Sequence, residues 1–259
     1  MRERSKTTWM ERVLPTLSVI GFLIVWQLFV DIRQIPTIYL PSPLAIAKSF
    51  VSMTEDGSIF FHLSVTVLRI FAGFLVAAFA GIVMGLLMGM SRLFERVADP
   101  WIAALYPLPK ISLIPLLIIW LGTGESYKIV ISAVTAFFPI AMSTFAGVRQ
   151  VDPGLIKAAR DLGANPAQVQ LNVVLPASIP SIFSGLQLGM GVAIILVVAA
   201  EMIGSSGQGG MGFLLINAGQ VMDTERVFAS LIVLTLMGAF IIKGQQWLDH
   251  KLAPWASFR

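Results

Sequence analysis

Cysteine is absent from the 259-residue chain, and charged residues make up only 12% of it. Without cysteine there is no disulfide framework, no thiolate metal site and no cysteine nucleophile. Soluble domains carry roughly 25% charged residues. A chain with about half that share, in which 56% of the residues are hydrophobic, is expected in a lipid bilayer.

Six apolar runs are long enough, or nearly so, to cross a hydrocarbon core of roughly 30 Å as helices of about 20 residues. They cover residues 14–30, 66–90, 101–121, 129–148, 179–200 and 227–242. None alternates polar and apolar residues with a period of two, as the strands of a membrane β-barrel do. The backbone N–H and C=O groups are therefore expected to form their hydrogen bonds within helices. The sequence predicts an all-α polytopic membrane protein with six transmembrane helices, in which residues 1–13 precede a single transmembrane domain over residues 14–259.

Lysine and arginine are concentrated on one predicted side of the membrane. The N-terminal stretch, the loops after the second and fourth runs and the C-terminal tail hold most of them. Because cytoplasmic loops collect these residues, both termini are predicted to be cytoplasmic. The net charge of +4 then reflects topology and gives no reason to invoke nucleic acid.

A short charged segment, residues 152–176, separates the fourth run from the fifth. Asp152 and Pro153 predict the start of one short helix, and Gly163 is suited to the left-handed position that ends it. Asn165 and Pro166 repeat the start signal at once.

The first of these short helices is amphipathic, with Leu155, Ala159 and Leu162 predicted on one face. A solvated loop and a rigid element by which a cytoplasmic partner moves the membrane helices both fit this pattern. A DNA-binding helix-turn-helix is disfavoured, because the segment lacks the Lys and Arg cluster that phosphate contacts require.

The spacing in this segment resembles the cytoplasmic signature of the membrane permeases of ATP-binding cassette (ABC) importers. That signature is Glu-Ala-Ala, three residues, Gly, nine residues, Ile, one residue, Leu-Pro. Lys157 stands where Glu is usual, and Val173 where Ile is usual. The resemblance implies that an ATPase is contacted by Lys157, Ala158, Ala159, Arg160, Asp161, Gly163, Val173, Leu175 and Pro176.

Further stretches, "LPSP" at 40–43, residues 106–129 and residues 201–219, are similar to the branch that imports nitrate, sulfonates and taurine. The resemblance implies the MetI-like fold of type I importer permeases, in the bacterial inner membrane. It also implies three kinds of partner: a second copy of the chain, two cytoplasmic ATPases that bind ATP and Mg, and an external solute-binding protein. The chain has no Gly-x-x-x-x-Gly-Lys-Ser/Thr stretch with which to cradle ATP phosphates itself.

Small residues recur along two of the predicted spans, which lets membrane helices approach closely. We interpret them as packing surfaces, or as pathway lining, at Gly73, Ala77, Gly81, Gly85, Gly89, Gly185 and Gly189. After Glu201 the sequence is too glycine-rich for a helix, which predicts either a gate loop or a plain connector. Its hinge candidates are Gly204, Gly207, Gly209, Gly210 and Gly212.

The third span is interrupted by Pro107, Pro109 and Pro115, and it carries Lys110 near mid-depth. A lysine there costs about 2.5 to 3.5 kcal/mol on insertion scales, so it should face a partner or a wet cavity. In a structural role it would form an ion pair or donate hydrogen bonds to carbonyls that the prolines leave free. In a functional role it would present its positive charge to an anionic substrate. Glu201, predicted near the outer face and not paired with Lys110, and Gln187 are the other pathway candidates.

Two other classes of function fit poorly. A membrane enzyme needs catalytic groups gathered at one depth, and a secondary transporter often shows inverted repeats; the sequence shows neither. The sequence and its resemblance predict a non-catalytic permease subunit without a metal site, moving a small anion such as a sulfonate, taurine, nitrate or bicarbonate. A non-anionic metabolite such as a vitamin precursor remains the alternative substrate.

Overall fold

The computed structural model describes residues 9–204 and 209–254, with side chains from residue 13 onward. Within these ranges all regular structure is helical. The helices are α1 Trp9–Arg33, α2 Pro43–Glu55, α3 Ser58–Met90, α4 Arg92–Leu105, α5 Ile114–Leu121, α6 Ser126–Arg149, α7 Pro153–Asp161, α8 Pro166–Val169, α9 Leu175–Ile203, α10 Met211–Gln220 and α11 Thr224–Leu252. A 3₁₀ turn, Lys110–Leu113, precedes α5, and a wider π-helical turn, Gln170–Val174, joins α8 to α9.

In the described part of the chain, five helical runs are long and apolar enough to cross a membrane. They are Val13–Arg33, Ser58–Met90, Ser126–Arg149, Pro166–Ile203 and Thr224–Leu252. The pair Arg92–Leu105 and Lys110–Leu121, which meet at 86°, make a sixth crossing if they count as one broken span. The all-helical polytopic class is confirmed. The bend falls where Pro107 and Pro109 lack the N–H groups that a continuous helix needs.

The chain divides into two compact units, Met1–Phe60 with Leu214–Val233 and Phe61–Phe213 with Leu234–Arg259, as far as these ranges are described. In the first, the Gln27 side chain accepts a hydrogen bond from Leu44 N at 3.1 Å and thereby ties α1 to the start of α2. Thr224 donates to the Ile38 carbonyl at 2.8 Å. The first bond satisfies a backbone N–H at a helix start, where no helical partner exists, and the second joins the start of α11 to the loop between α1 and α2.

The second unit is built around α6, the most buried of the five straight crossing runs. The glycines of α3 and α9 that face it are Gly73, Gly81, Gly85, Gly89, Gly185 and Gly189. A Cβ atom placed on Gly81 would lie 2.9 Å from Ile140 Cγ2, and one on Gly185 would lie 2.6 Å from Ser143 Cβ. Larger residues would therefore push α3 and α9 off α6, and the absence of side chains is what permits the close approach.

Candidate functional site

The 152–176 segment is fixed at each turn by its own side chains. Asp152 Oδ1 accepts from Gly154 N at 2.7 Å and caps α7. Gly163 ends that helix with φ +86°, in the left-handed region. Asn165 and Gln168 then bond each other's backbone N–H reciprocally, both at 2.9 Å, which forms a capping box on α8. The predicted caps are confirmed, and they give the segment a defined shape.

The segment runs without a loop into a membrane span. The helical run is unbroken over Pro166–Ile203. A π-helical turn stands directly before Leu175 and Pro176, where Pro176 has no N–H for an α-helical bond. Continuous helix therefore joins α8 to α9.

A small apolar cluster anchors the segment to the end of α6. Its buried members are Val148, Val151, Val169 and Val174. Ile156 and Ala159 of α7 pack against it. Among the remaining signature positions, Ala158 is exposed and Val173, Leu175 and Pro176 are partly buried.

Two leucines of the predicted apolar face of α7 are exposed. Leu155 and Leu162 are 53% and 89% exposed, and only Ala159 of the predicted apolar face turns inward. Ile156, which the prediction left out, packs inward beside Ala159, while Leu162 stands at the helix end before Gly163 reverses the chain. The exposed charged residues beside these leucines are Lys157, Arg160 and Asp161.

A buried charged cluster joins α3 to the ends of α6 and α9. Arg69 is 2% exposed, and its guanidinium donates two hydrogen bonds of 2.5 Å to Glu125 and one of 2.6 Å to Glu201. Lys128 Nζ lies 3.6 Å from the Glu125 carboxylate. Two cations thus face two carboxylates, and the hydrogen bonds from Arg69 hold the pKa of Glu125 below its usual range.

The same cluster holds the glycine-rich loop. The Glu201 carboxylate accepts from Gly212 N at 2.9 Å and from the Thr66 hydroxyl at 3.0 Å, while the Thr66 oxygen accepts from Met211 N at 2.7 Å. Arg69 donates to the Gly209 carbonyl at 2.9 Å. The loop is therefore bonded directly to three side chains of the cluster's core.

Two glycines make this loop possible. Gly209 and Gly210 have φ of +76° and +112°, and a Cβ atom on Gly210 would lie 2.5 Å from Arg69 Nη1. A Cβ atom on Gly212 would lie 2.8 Å from Glu201 Cβ, and one on Gly204 would lie 2.7 Å from Tyr127 Cζ. The remaining hinge candidate, Gly207, lies outside the described residues.

Lys110 occupies a different environment, at the bend of the broken span. Its ammonium donates to the Tyr106 carbonyl and lies 5.2 Å from the Tyr106 ring centroid and 4.7 Å from that of Phe138. Within the described ranges it forms no ion pair. Beside it lies a cavity of about 350 Å³.

The predicted pathway residues therefore fall in two places. Glu201 belongs to the charged cluster, Lys110 to the cavity, and Gln187 precedes Leu188, which lines that cavity. Arg69 is absent from the predicted site residues, although it lies well inside α3, which begins at Ser58. Charges inside apolar helices need partners, so a partner for Arg69 could have been expected, although this rule does not identify Glu201. No group of three His, Cys, Asp or Glu side chains suited to a metal ion occurs in the part of the chain that the structure describes.

Helices packed by glycine around α6, a buried charge cluster holding a loop, and a capped segment continuous with a span are features of a polytopic helical membrane protein. The chain belongs to the family described as binding-protein-dependent transport system inner membrane component, whose model matches residues 77–254. Members of this family are permease subunits, which are not enzymes.

Relatives and solved structures agree. The taurine transport system permease protein TauC of Escherichia coli K12 is 34% identical over 93% of this chain and 88% of its own. The Bacillus subtilis 168 protein SsuC, named as a permease for aliphatic sulfonates transport, is 34% identical over 97% of this chain and 90% of its own. A solved amino acid ABC transporter shares the fold, with 21% identity and a TM-score of 0.61 over 79% of this chain and 97% of that one. The methionine ABC transporter MetNI matches with 25% identity and a TM-score of 0.50 over 73% and 94%.

Proposed function

We propose that this chain forms the translocation pathway of an ATP-driven importer and that the 152–176 segment receives the movement of an ATPase. One observation carries the proposal: the segment joins a capped helix, α7, to an unbroken helical run that enters the membrane span. Leu155 and Leu162 give α7 an exposed apolar face that water does not favour, and a partner protein would cover it.

The proposed assembly has two copies of this chain, two ATPases and an external solute-binding protein. The solved relative MetNI is named as an ABC transporter, and the family name specifies dependence on a binding protein. Placing the 152–176 segment beside a cytoplasmic ATPase puts both termini in the cytoplasm, which agrees with the distribution of Lys and Arg. The membrane is then the bacterial inner membrane, and ATP and Mg bind to the partner subunits.

The proposed substrate is a small sulfonate-type anion. Two relatives that cover nearly all of this chain are named for taurine and for aliphatic sulfonates. The Lys110 ammonium, which has no carboxylate partner in the described ranges, supplies positive charge within the broken span. Intramembrane charges of this kind mark substrate pathways.

The experiment is ATP-dependent uptake into proteoliposomes that hold the permease with the ATPase and binding protein encoded beside its gene. Labelled butanesulfonate, taurine, nitrate and bicarbonate are compared, each with and without ATP. The proposal expects accumulation of a sulfonate that depends on ATP. Failure of the chain to associate with an ATPase or to change its turnover would overturn it.

A matched pair of variants tests the role of the 152–176 segment. Gly163→Pro cannot adopt φ +86° and loses the N–H that bonds the Arg160 carbonyl at 2.9 Å, whereas Gly163→Asn tolerates the left-handed conformation. We expect Gly163→Pro to abolish uptake while the membrane helices remain folded, and Gly163→Asn to retain it. Normal uptake by Gly163→Pro would contradict the mechanical role.

A further inference from the structure

The cavity at the bend of the broken span is mostly apolar and can be reached from the surface. About 350 Å³ of space is bounded by Tyr106, Lys110, Thr135, Phe138, Leu188 and Val192. Tyr106 is 50% exposed and Leu188 61% exposed, so one side of the cavity is open. Its volume lies within the range of small-molecule sites, which are concave, largely apolar and carry few polar groups.

Among the described residues that line this cavity, Lys110 is the only cation, and its surroundings hold it in place. The Tyr106 and Phe138 rings stand nearly perpendicular, at 75°, and the Lys110 ammonium lies over both of them. Cation–π contacts and the bond to the Tyr106 carbonyl fix the side chain without neutralising it. An ammonium has three donors, and within the described ranges Lys110 uses one of them. Two donors are left for a ligand.

No described lining side chain would stabilise a cationic group of a ligand in this cavity. The lining residues include no carboxylate. The faces of both aromatic rings already hold the Lys110 ammonium, so another cation there would be repelled by it. The Thr135 hydroxyl donates its hydrogen to the Ile131 carbonyl at 2.6 Å, so it offers no donor to an anionic head. The cavity therefore has one end that can bind an anion, at Lys110, and walls without charge.

From this arrangement we propose that the cavity binds a sulfonate with an uncharged tail and discriminates against zwitterionic aminosulfonates such as taurine. The sulfonate oxygens accept from Lys110, and the tail contacts Val192 and Leu188. The proposal rests on the proposed function for its substrate class and narrows that class by charge. A taurine ammonium would lose hydration in this cavity with no carboxylate to replace it.

The test is equilibrium binding of radiolabelled butanesulfonate to the full chain in phosphatidylcholine nanodiscs, whose lipids carry no net charge to compete. Unlabelled butanesulfonate and taurine are the competitors. The variants are Lys110→Met, Lys110→Arg and, as a matched loss of charge elsewhere, Lys243→Met on the exposed surface of α11. Size-exclusion profiles and thermal unfolding verify that each variant is folded.

Wild type and Lys243→Met are expected to bind butanesulfonate saturably, with taurine at least about tenfold weaker as a competitor. Lys110→Met should weaken binding about tenfold or more, since a charge-assisted hydrogen bond is lost, and Lys110→Arg should retain part of it. Absence of saturable binding to wild type, unchanged binding to folded Lys110→Met, or taurine competing equally well would each overturn the inference. If the reconstituted complex still imports a sulfonate in those cases, the proposed function stands and only the site falls.

Discussion

Arg69 and Lys110 are both cations within membrane-crossing segments, yet their surroundings are opposite. Arg69 is almost fully buried and bonded to two carboxylates and a carbonyl. One of these carboxylates, that of Glu125, also forms an ion pair with Lys128. Lys110 lies against two aromatic rings and an open cavity, with a single carbonyl as hydrogen-bond partner in the described ranges.

The difference separates a structural use of charge from a functional one. A buried charge whose partners are complete has no capacity left for a ligand, and removing one partner leaves the other uncompensated. A charge fixed by π faces keeps its donors and its positive field. We therefore propose that the Arg69 cluster holds the glycine-rich loop on the helices and that Lys110 binds the solute.

Glu201→Ala should have the largest effect on stability. It leaves the Arg69 guanidinium buried with one partner fewer and removes the acceptors for Thr66 and Gly212 N. A loss of about 3 to 5 kcal/mol in the free energy of unfolding is expected, measured by denaturant or thermal unfolding in detergent. Glu55→Ala, at an exposed position on α2, is the control and should stay within about 0.5 kcal/mol. Equal small losses for both variants would show that the cluster does not stabilise the fold.

Gly210→Ala should follow in size. The added methyl group must adopt φ near +112° and approach Arg69 Nη1, so a cost of about 1 to 3 kcal/mol is expected. Gly219→Ala is its control, because nothing lies within 4 Å of a Cβ there and the residue is helical. If Gly210→Ala unfolds no more easily than Gly219→Ala, the loop is not bonded to the cluster as described.

Much of this arrangement was accessible from the sequence, because it depends on local signals. Runs of apolar residues located the spans, and Asp152, Gly163 and Asn165 located the ends of the short helices. The Arg69–Glu201 pair was not accessible, because the two residues lie 132 positions apart and helix packing brings them together. The aromatic surroundings of Lys110 were missed for the same reason, since Phe138 comes from another helix.

Lys110→Met should leave the free energy of unfolding unchanged or raise it, in contrast to Glu201→Ala. In the described ranges the ammonium forms no ion pair, so its removal leaves no carboxylate uncompensated. Its removal also eliminates the cost of placing a lysine within a membrane span, about 2.5 to 3.5 kcal/mol on insertion scales. The same unfolding measurement checks it. A large loss of stability in Lys110→Met would assign this lysine to structure and remove the contrast between the two sites.

The smallest effect is a pH dependence from Glu125. Because Arg69 lowers the pKa of this carboxyl in the folded protein, the pair stabilises the fold above the unfolded pKa of about 4.3. That contribution is lost as the pH falls through the lower folded pKa. The side chain is 45% exposed, so the change is expected not to exceed about 1 kcal/mol. Unfolding scans from neutral to acid pH should show this loss in wild type, and Glu125→Gln should flatten it; the same slope in both proteins would rule out this pair as its source.

The division of roles between the two cations is tested most directly by the number of butanesulfonate molecules imported per ATP hydrolysed, in proteoliposomes holding the complete importer with wild-type or Lys110→Met permease. If Lys110 handles the anion, the variant complex should assemble and hydrolyse ATP in response to its loaded binding protein, while imported sulfonate per ATP falls about tenfold or more. An unchanged ratio would contradict a role for Lys110 in transport.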